Sequence, residues 1–281
     1  GRNTNVISAT QLIKDYYNAS KEAELNSNRL STFISYARNP TLQLAKGLYK
    51  SLTASGVNVW FDQHNIRTGV DFREEIEEGI KRAGSFIYII SKRATESVYC
   101  QSELDLAKRY GIRIVPIQFG EVEENKIDEG IQSFHRLFYK DNNTEEENVK
   151  NLSKSLLRTF NEGKEYIYDH TKILIKAIEW EESGRNTRFI LRRRELQEGV
   201  EWLNNSLTST VPAKPSDLHN EFICESKRIE FNGFVDVWIC NYKKESFMKG
   251  LIRKLHEQAL TVAWSEMDET NSQELQIEKA K

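Results

Sequence analysis

The feature that most constrains this chain is the alternation of strand-like apolar segments with helical patterns between residues 33 and 160. Ser85 to Ile90 is almost wholly apolar, which is typical of a strand that helices cover on both faces. The segment over residues 42–52 instead has leucines four residues apart, at Leu44, Leu48 and Leu52. This spacing is typical of the buried side of a helix. Strands and helices alternating at this spacing predict an α/β fold, a doubly wound parallel sheet with right-handed crossovers.

This sheet accounts for a first domain over residues 30–160, preceded by an N-terminal arm or helix over residues 1–29. The predicted strands are residues 33–36, 57–61, 85–90, 112–119 and 134–139. The predicted helices are residues 42–52, 72–83, 98–110 and 146–160. A polar loop with Gly69 as its flexible point follows the second strand.

The second half of the chain has a different organisation. Residues 161–230 predict a helical linker module of three helices, most simply a spacer, in which Pro212 and Pro215 mark an extended connector. Residues 231–281 predict the start of a second, partial α/β unit. Its helix reads KGLIRKL where the first helix of the first domain reads KGLYKSL, and such internal repeats indicate a duplicated unit.

Composition excludes several classes of function. The formal net charge of −2 argues against a broad nucleic-acid-binding or membrane-binding surface, and no apolar run approaches the roughly 20 residues of a membrane span. The 3 cysteines are widely spaced, which predicts neither a disulfide framework nor a metal site. We therefore expect a cytoplasmic protein without a bound metal.

One carboxylate stands out as a candidate for chemistry. Ser35 ends the first predicted strand, and Glu103 lies near the start of the helix that follows the buried strand. In an open α/β sheet the carboxyl ends of the strands form the ligand crevice, so the two residues are expected at one site. The simpler reading of Glu103 is that a glutamate in the first turns of a helix stabilises the helix dipole.

Three segments resemble, in order and spacing, those of a bacterial Toll/interleukin-1 receptor (TIR) domain. They are FISYA at residues 33–37, GVNVWFD at 56–62 and YCQSEL at 99–104, with Tyr99 where many relatives have Trp. The resemblance implies a flavodoxin-like, five-stranded TIR fold. The stretch from Phe234 is similar to the beginning of another TIR domain.

The resemblance also implies a function, which is cleavage of NAD⁺ at its nicotinamide–ribose bond with Glu103 as the catalytic residue. NAD⁺ is then the substrate, and no cofactor is expected. The residues expected to bind this substrate are Ser35, Tyr36, Trp60, Asp62 and Cys100. Self-association through TIR domains is implied as the means of activation, with Asn65, Ile66 and Gly69 in the assembly loop. A role in bacterial defence signalling follows from the resemblance alone.

A single carboxylate is chemically sufficient for this reaction. Nicotinamide leaves from a cationic pyridinium, so it needs no general acid, and one carboxylate can stabilise the oxocarbenium-like transition state. Attack by water gives ADP-ribose, and attack by a group of the substrate itself gives a cyclic isomer; the residues leave both open. The alternative is a non-enzymatic scaffold that acts by TIR–TIR contacts, in which Glu103 would have no chemical role.

Two of the candidate binding residues also have structural readings. Trp60 follows the strand period, which is compatible with a core position. Cys100 is more often a small buried hydrophobe than a ligand, and no base near it in the sequence would make it a nucleophile.

Overall fold

The computed structural model describes residues 31–61, 72–231, 236–240 and 245–265. The strands in these ranges are β1 (Ser31–Ser35), β2 (Asn58–Phe61), β3 (Ala83–Ile90), β4 (Arg113–Gln118), β5 (Leu137–Phe138), β6 (Val237–Cys240) and β7 (Val262–Ser265). The helices are α1 (Arg38–Ala54), α2 (Phe72–Lys81), α3 (Lys92–Glu96), α4 (Val98–Arg109), α5 (Glu129–Gln132), α6 (Glu145–Asn161), α7 (Lys164–Glu182), α8 (Arg193–Thr208), α9 (Asp217–Glu230) and α10 (Glu245–Glu257). No helix within these ranges has the length and apolar character needed to cross a membrane.

The first five strands form one parallel sheet in the order β2-β1-β3-β4-β5. Phe33 of β1 lies between Trp60 of β2 and Phe86 of β3. All 8 residues of the central strand β3 are buried, because helices cover both of its faces. The predicted five-stranded, doubly wound sheet is confirmed. Its strand order is the flavodoxin-like one, in which the ligand crevice opens where β1 and β3 end.

Alternate residues of each strand build two hydrophobic cores, one on each face of the sheet. Phe33 and Phe86 stack at 5.5 Å on the face that α4 covers, where Leu104 is fully buried. Ile34 and Ile87 point to the other face, which α1 and α6 cover with their leucines. The helix that carries Glu103 therefore packs directly on the face of the sheet to which Phe33 points.

The first helix of the linker module, α7, packs into the core of the sheet. Leu174 and Ile178 belong to the same buried cluster as Phe86, and Leu174 has no exposed surface. Farther along, Trp180 joins Phe222 of α9 in a separate core of the helical module. The module is thus more than a spacer, since one of its helices completes the core of the first domain.

The strands and helix beyond residue 236 form a second strand–helix–strand unit. β6 and β7 pair in parallel with Val237 opposite Val262, and α10 connects them, as α1 connects β1 and β2. In α1, a Cβ on Gly47 would lie 2.5 Å from Cγ2 of Val149, so this glycine allows α6 to approach closely. At the matching Gly250, a Cβ would meet no atom of the described residues within 4 Å.

The helices α3 and α5 were not predicted from the sequence, and the strand β5 differs from its prediction. The short helix α3 precedes α4, and the two are separate because the Ser97 hydroxyl accepts a hydrogen bond from the Cys100 N–H at 3.3 Å and so starts α4 anew. The edge strand β5 of the five-stranded sheet is shorter than the strand predicted over residues 134–139. The N–H of Phe134 bonds to the carbonyl of Ile131 at 3.1 Å, which closes the turn after α5 and leaves only the end of the segment for the sheet.

Candidate active site

The site at the carboxyl end of the sheet joins β1 to α4. Ser35, the last residue of β1, is 1% exposed, and its hydroxyl donates a hydrogen bond to Oε2 of Glu103 at 2.6 Å. This length is typical of a hydroxyl that donates to a carboxylate. Two of the residues singled out in the sequence are therefore in direct contact, and the bond fixes the orientation of the Glu103 carboxyl group.

The first turn of α4 carries an exposed aromatic residue, Tyr99. Tyr99 lies four residues before Glu103, which puts both on one side of the helix, and Tyr99 is 69% exposed. The neighbouring Val98 is 80% exposed. Tyr99 was not among the predicted binding residues, although an aromatic residue one helical turn before a candidate carboxylate was a usable signal.

Cys100 lies in the core beneath the site. It is 4% exposed and belongs to the cluster that includes Leu104. Burial raises the pKa of the Cys100 thiol and the nearby Glu103 raises it further, while hydrogen bonding with Ser97 and Ser35 opposes this. The thiol form is therefore favoured, which agrees with the expectation that Cys100 is not a nucleophile.

The two predicted aromatic binding residues pack against the sheet. The ring of Trp60 stacks on that of Phe33, with the ring centres 4.8 Å apart. On its other side it lies so close to Gly79 of α2 that a Cβ added there would be 3.0 Å from the ring. Trp60 therefore fills the space between β2 and α2. Tyr36 is half-buried and stacks on Phe61 at 5.1 Å. Tyr36 directly follows Ser35 along the chain, whereas Trp60 lies opposite Phe33, earlier in β1.

The remaining predicted site residues, Asp62, Asn65, Ile66 and Gly69, lie outside the described residues. Within the described ranges, no group of three or more His, Cys, Asp or Glu side chains is arranged to hold a metal ion.

A cavity of about 1370 Å³ opens at the opposite edge of the sheet. It lies between Arg113 at the start of β4 and the segment from Lys214 to Ser216, and Glu103 is not part of its lining. Since parallel α/β sheets bind ligands where their strands end, the geometry favours the Ser35–Glu103 edge as the candidate active site in spite of the size of this cavity.

Comparison with known proteins agrees with this architecture. The profile of the TIR domain matches residues 32–153. The chain is 30% identical over 106 residues to the NAD(+) hydrolase TcpA of Theionarchaea archaeon strain DG-70-1, a match that covers 36% of this chain and 31% of that protein. It is 29% identical over 80 residues to the NAD(+) hydrolase TcpC of Escherichia coli O6:H1, covering 28% of this chain and 26% of that protein.

The matches thus span about a third or less of the length of either curated relative. Among solved structures, the TIR domain of the Toll-related receptor TRR-2 from Hydra magnipapillata is 19% identical, with a TM-score of 0.37, and the match covers 45% of this chain and 94% of that one. The matched profile, the parallel sheet and the order of its strands lead to one conclusion: residues 32–153 of this chain are a TIR domain.

Proposed function

We propose that this TIR domain cleaves NAD⁺ at the bond between nicotinamide and ribose, with Glu103 as the catalytic residue. The observation that carries the proposal is the Ser35–Glu103 hydrogen bond at the carboxyl end of the sheet, which presents an oriented carboxylate where such folds bind ligands. The names of the two curated relatives, both NAD(+) hydrolases, support this substrate and reaction class.

In the proposed reaction the bond between C1′ of the ribose and the pyridinium nitrogen breaks, and its electron pair stays with nicotinamide. The ribose then carries positive charge, which the Glu103 carboxylate stabilises from a position that Ser35 holds. Water that attacks C1′ forms ADP-ribose and releases a proton. A nucleophile within the substrate forms a cyclic ADP-ribose isomer instead.

The exposed ring of Tyr99 fits this proposal. It lies on the same side of α4 as Glu103 and is open to solvent. A flat aromatic surface beside the carboxylate can stack on a planar ring such as nicotinamide or adenine. We propose Tyr99 as a contact for one of the two rings of the substrate, in addition to the residues named from the sequence.

We further propose that self-association of TIR domains activates the enzyme in a bacterial defence response. The adjacent Val98 and Tyr99, at 80% and 69% exposure, form an apolar surface next to the site that another chain could cover. The same surface favours the alternative function, a scaffold that acts only by TIR–TIR contacts. The two functions differ in whether Glu103 is needed for chemistry.

The test is incubation of the chain with NAD⁺ at high protein concentration, with chromatography of the products. We expect nicotinamide to be released together with ADP-ribose or a cyclic isomer, and the second product identifies hydrolysis or cyclisation. A Glu103→Gln chain should release none while its circular dichroism spectrum is unchanged. Equal release by both chains would refute the role of Glu103, and no release by either would favour the scaffold.

A further inference from the structure

A second polar connection ties α4 to the sheet near Glu103, through Gln101. The side-chain amide of Gln101 donates one hydrogen bond to the hydroxyl of Tyr88 at 2.9 Å and another to the backbone carbonyl of Ala94 at 3.1 Å. Both hydrogens of the amide are therefore used. The bonds connect α4 to β3 and to the middle of α3.

Tyr88, the acceptor on β3, is itself fixed beside the candidate site. It pairs with Ser35 across the sheet, is 1% exposed, and donates its own hydroxyl hydrogen to the carbonyl of Ala94 at 3.3 Å. Burial raises the pKa of Tyr88, so the phenol stays neutral and able to donate. The amide, the phenol and the carbonyl form a closed triangle of hydrogen bonds, within which Gln101 is the only contribution from α4.

The positions of Gln101 and Glu103 on α4 give these bonds a specific consequence. The buried stripe of the helix runs through Cys100, Leu104 and Ala107. At about 100° per residue, Gln101 and Glu103 project from opposite flanks of that stripe. An apolar stripe alone resists rolling of a helix weakly, whereas a polar bond on each flank fixes the rotation of the helix about its own axis.

We propose that Gln101 is a positioning residue for Glu103, because its anchored amide sets the rotation of the helix that presents the carboxylate to the substrate. The kinetic part of this proposal rests on the proposed function, and the geometric part does not. Two measurements test the two parts separately.

The first measurement follows the geometry without any need for activity. Cys100, next to Gln101, is 4% exposed, and Cys224 in α9 is 2% exposed. Labelling of each thiol by iodoacetamide is followed by peptide mass spectrometry. If Gln101 holds the first turns of α4 in place, Gln101→Leu removes both of its hydrogen bonds. Labelling of Cys100 should then accelerate by at least about tenfold, while labelling of Cys224 is unchanged.

The chain offers a matched control in Gln132. This half-buried glutamine also donates two hydrogen bonds, to the carbonyls of Glu124 at 3.2 Å and Ile127 at 2.8 Å, but it lies at the end of α5. Gln132→Leu should leave labelling of both cysteines as in the parent chain. Equal acceleration at Cys100 and Cys224 by Gln101→Leu, or acceleration at neither, would overturn the proposal.

The second measurement is the rate of nicotinamide release at saturating NAD⁺. Gln101→Leu should lower kcat by about tenfold and leave KM within about twofold of the parental value. The reason is that the carboxylate is misplaced for the transition state while the substrate still binds. Gln101→Met has a similar length but a side chain that cannot donate, so it should be as slow. Parental kcat in both Gln101→Leu and Gln101→Met would overturn the proposal. A parent chain that releases no nicotinamide refutes the proposed function instead, and the thiol labelling still decides the geometry.

Discussion

Ser35 and Glu103 are 68 residues apart in the sequence, yet the hydroxyl of Ser35 donates to the carboxylate of Glu103 at 2.6 Å. The contact exists because β1 ends at Ser35 and α4 crosses the face of the sheet above that end. It joins the one candidate catalytic residue to the rigid centre of the sheet. A carboxylate anchored in this way loses little freedom when it meets a developing positive charge.

Replacing Ser35 by Ala should slow the proposed reaction without unfolding the domain. A hydrogen bond to a charged group contributes about 1.5–3 kcal/mol, so we expect kcat for nicotinamide release to fall by about tenfold to a hundredfold. The measurement is steady-state release of nicotinamide from NAD⁺. A Ser35→Ala chain with the parental kcat would show that the bond has no role in the reaction.

Thr32→Val is the control for that variant. Thr32 lies on the same strand, is equally buried, and donates its hydroxyl to the carbonyl of Ser85 at 3.0 Å, away from Glu103. Its replacement should lower the free energy of unfolding by about 1 kcal/mol and leave kcat unchanged. A loss of rate in both variants would instead attribute the effect to destabilisation of β1.

The packing of α7 on the sheet predicts a large cost for a substitution outside residues 32–153. Leu174 is fully buried in the core of the sheet, so Leu174→Ala should lower the free energy of unfolding by about 2–5 kcal/mol, measured by urea denaturation. Leu207→Ala, at a site 43% exposed on α8, should cost less than about 0.5 kcal/mol. Similar small losses in both variants would contradict the docking of α7 on the sheet.

Two glycines allow the contact between the TIR domain and the helical module to be tested separately from backbone strain. Gly111 and Gly184 both have a positive φ, of 65° and 72°. A Cβ on Gly111 would lie 2.5 Å from the carbonyl oxygen of Lys214, whereas a Cβ on Gly184 would meet nothing within 4 Å among the described residues. Each Gly→Ala change costs about 1–2 kcal/mol for the left-handed backbone.

Gly111→Ala should therefore destabilise the chain by about 1–3 kcal/mol more than Gly184→Ala, because only the first forces the segment around Lys214 to move. The difference between the two free energies of unfolding isolates the contact. If the two losses are equal, the turn after α4 does not approach this segment in solution.

The buried pair His170 and His219 predicts how stability depends on pH. Their rings lie 4.3 Å apart and are almost completely buried, with Nδ1 of His219 2.6 Å from the Ser216 hydroxyl. Burial lowers the pKa of His219 to about 4, and burial together with His219 lowers the pKa of His170 well below its usual value. Both pKa values are thus lower in the folded chain than in the unfolded chain, where a histidine titrates near 6.5.

Because the unfolded chain binds protons more readily, the stability is fully present above about pH 6.5 and is lost as the pH falls towards 4. Each histidine should contribute a slope of up to about 1.4 kcal/mol per pH unit in that window. Urea denaturation at several pH values measures it. His219→Gln should flatten the profile, whereas His135→Gln, at an exposed site, should not. A parent chain equally stable at pH 7 and pH 4.5 would contradict the prediction.

The sequence was sufficient to predict the sheet and the place of the candidate site at the ends of its strands. The unbroken apolar run of β3 indicated cover on both faces, and parallel strands place their carboxyl ends at one edge, so Ser35 and Glu103 were expected at one site. The direct hydrogen bond between them is a finding of the structure. Local patterns of this kind are set by periods of two and 3.6 residues along the chain.

The partners of the helices were not predictable in the same way. An amphipathic pattern shows that Leu174 lies on a buried face of its helix. It does not show whether this face packs on the sheet, as it does, or on the other helices of the module. Gln101 carries no hydrophobic signal, and its role depends on Tyr88 and Ala94 being brought to it by the turn between α3 and α4. Such contacts depend on tertiary geometry, which no local pattern encodes.

The most direct measurement is the rate of nicotinamide release from NAD⁺ by the parent chain, Glu103→Gln and Glu96→Gln. Glu96 is an exposed carboxylate at the end of α3, so its variant controls for the loss of one charge near the site. We predict that Glu103→Gln lowers the rate by at least about a hundredfold and that Glu96→Gln stays within about twofold of the parent. A Glu103→Gln chain that releases nicotinamide at the parental rate would contradict the account.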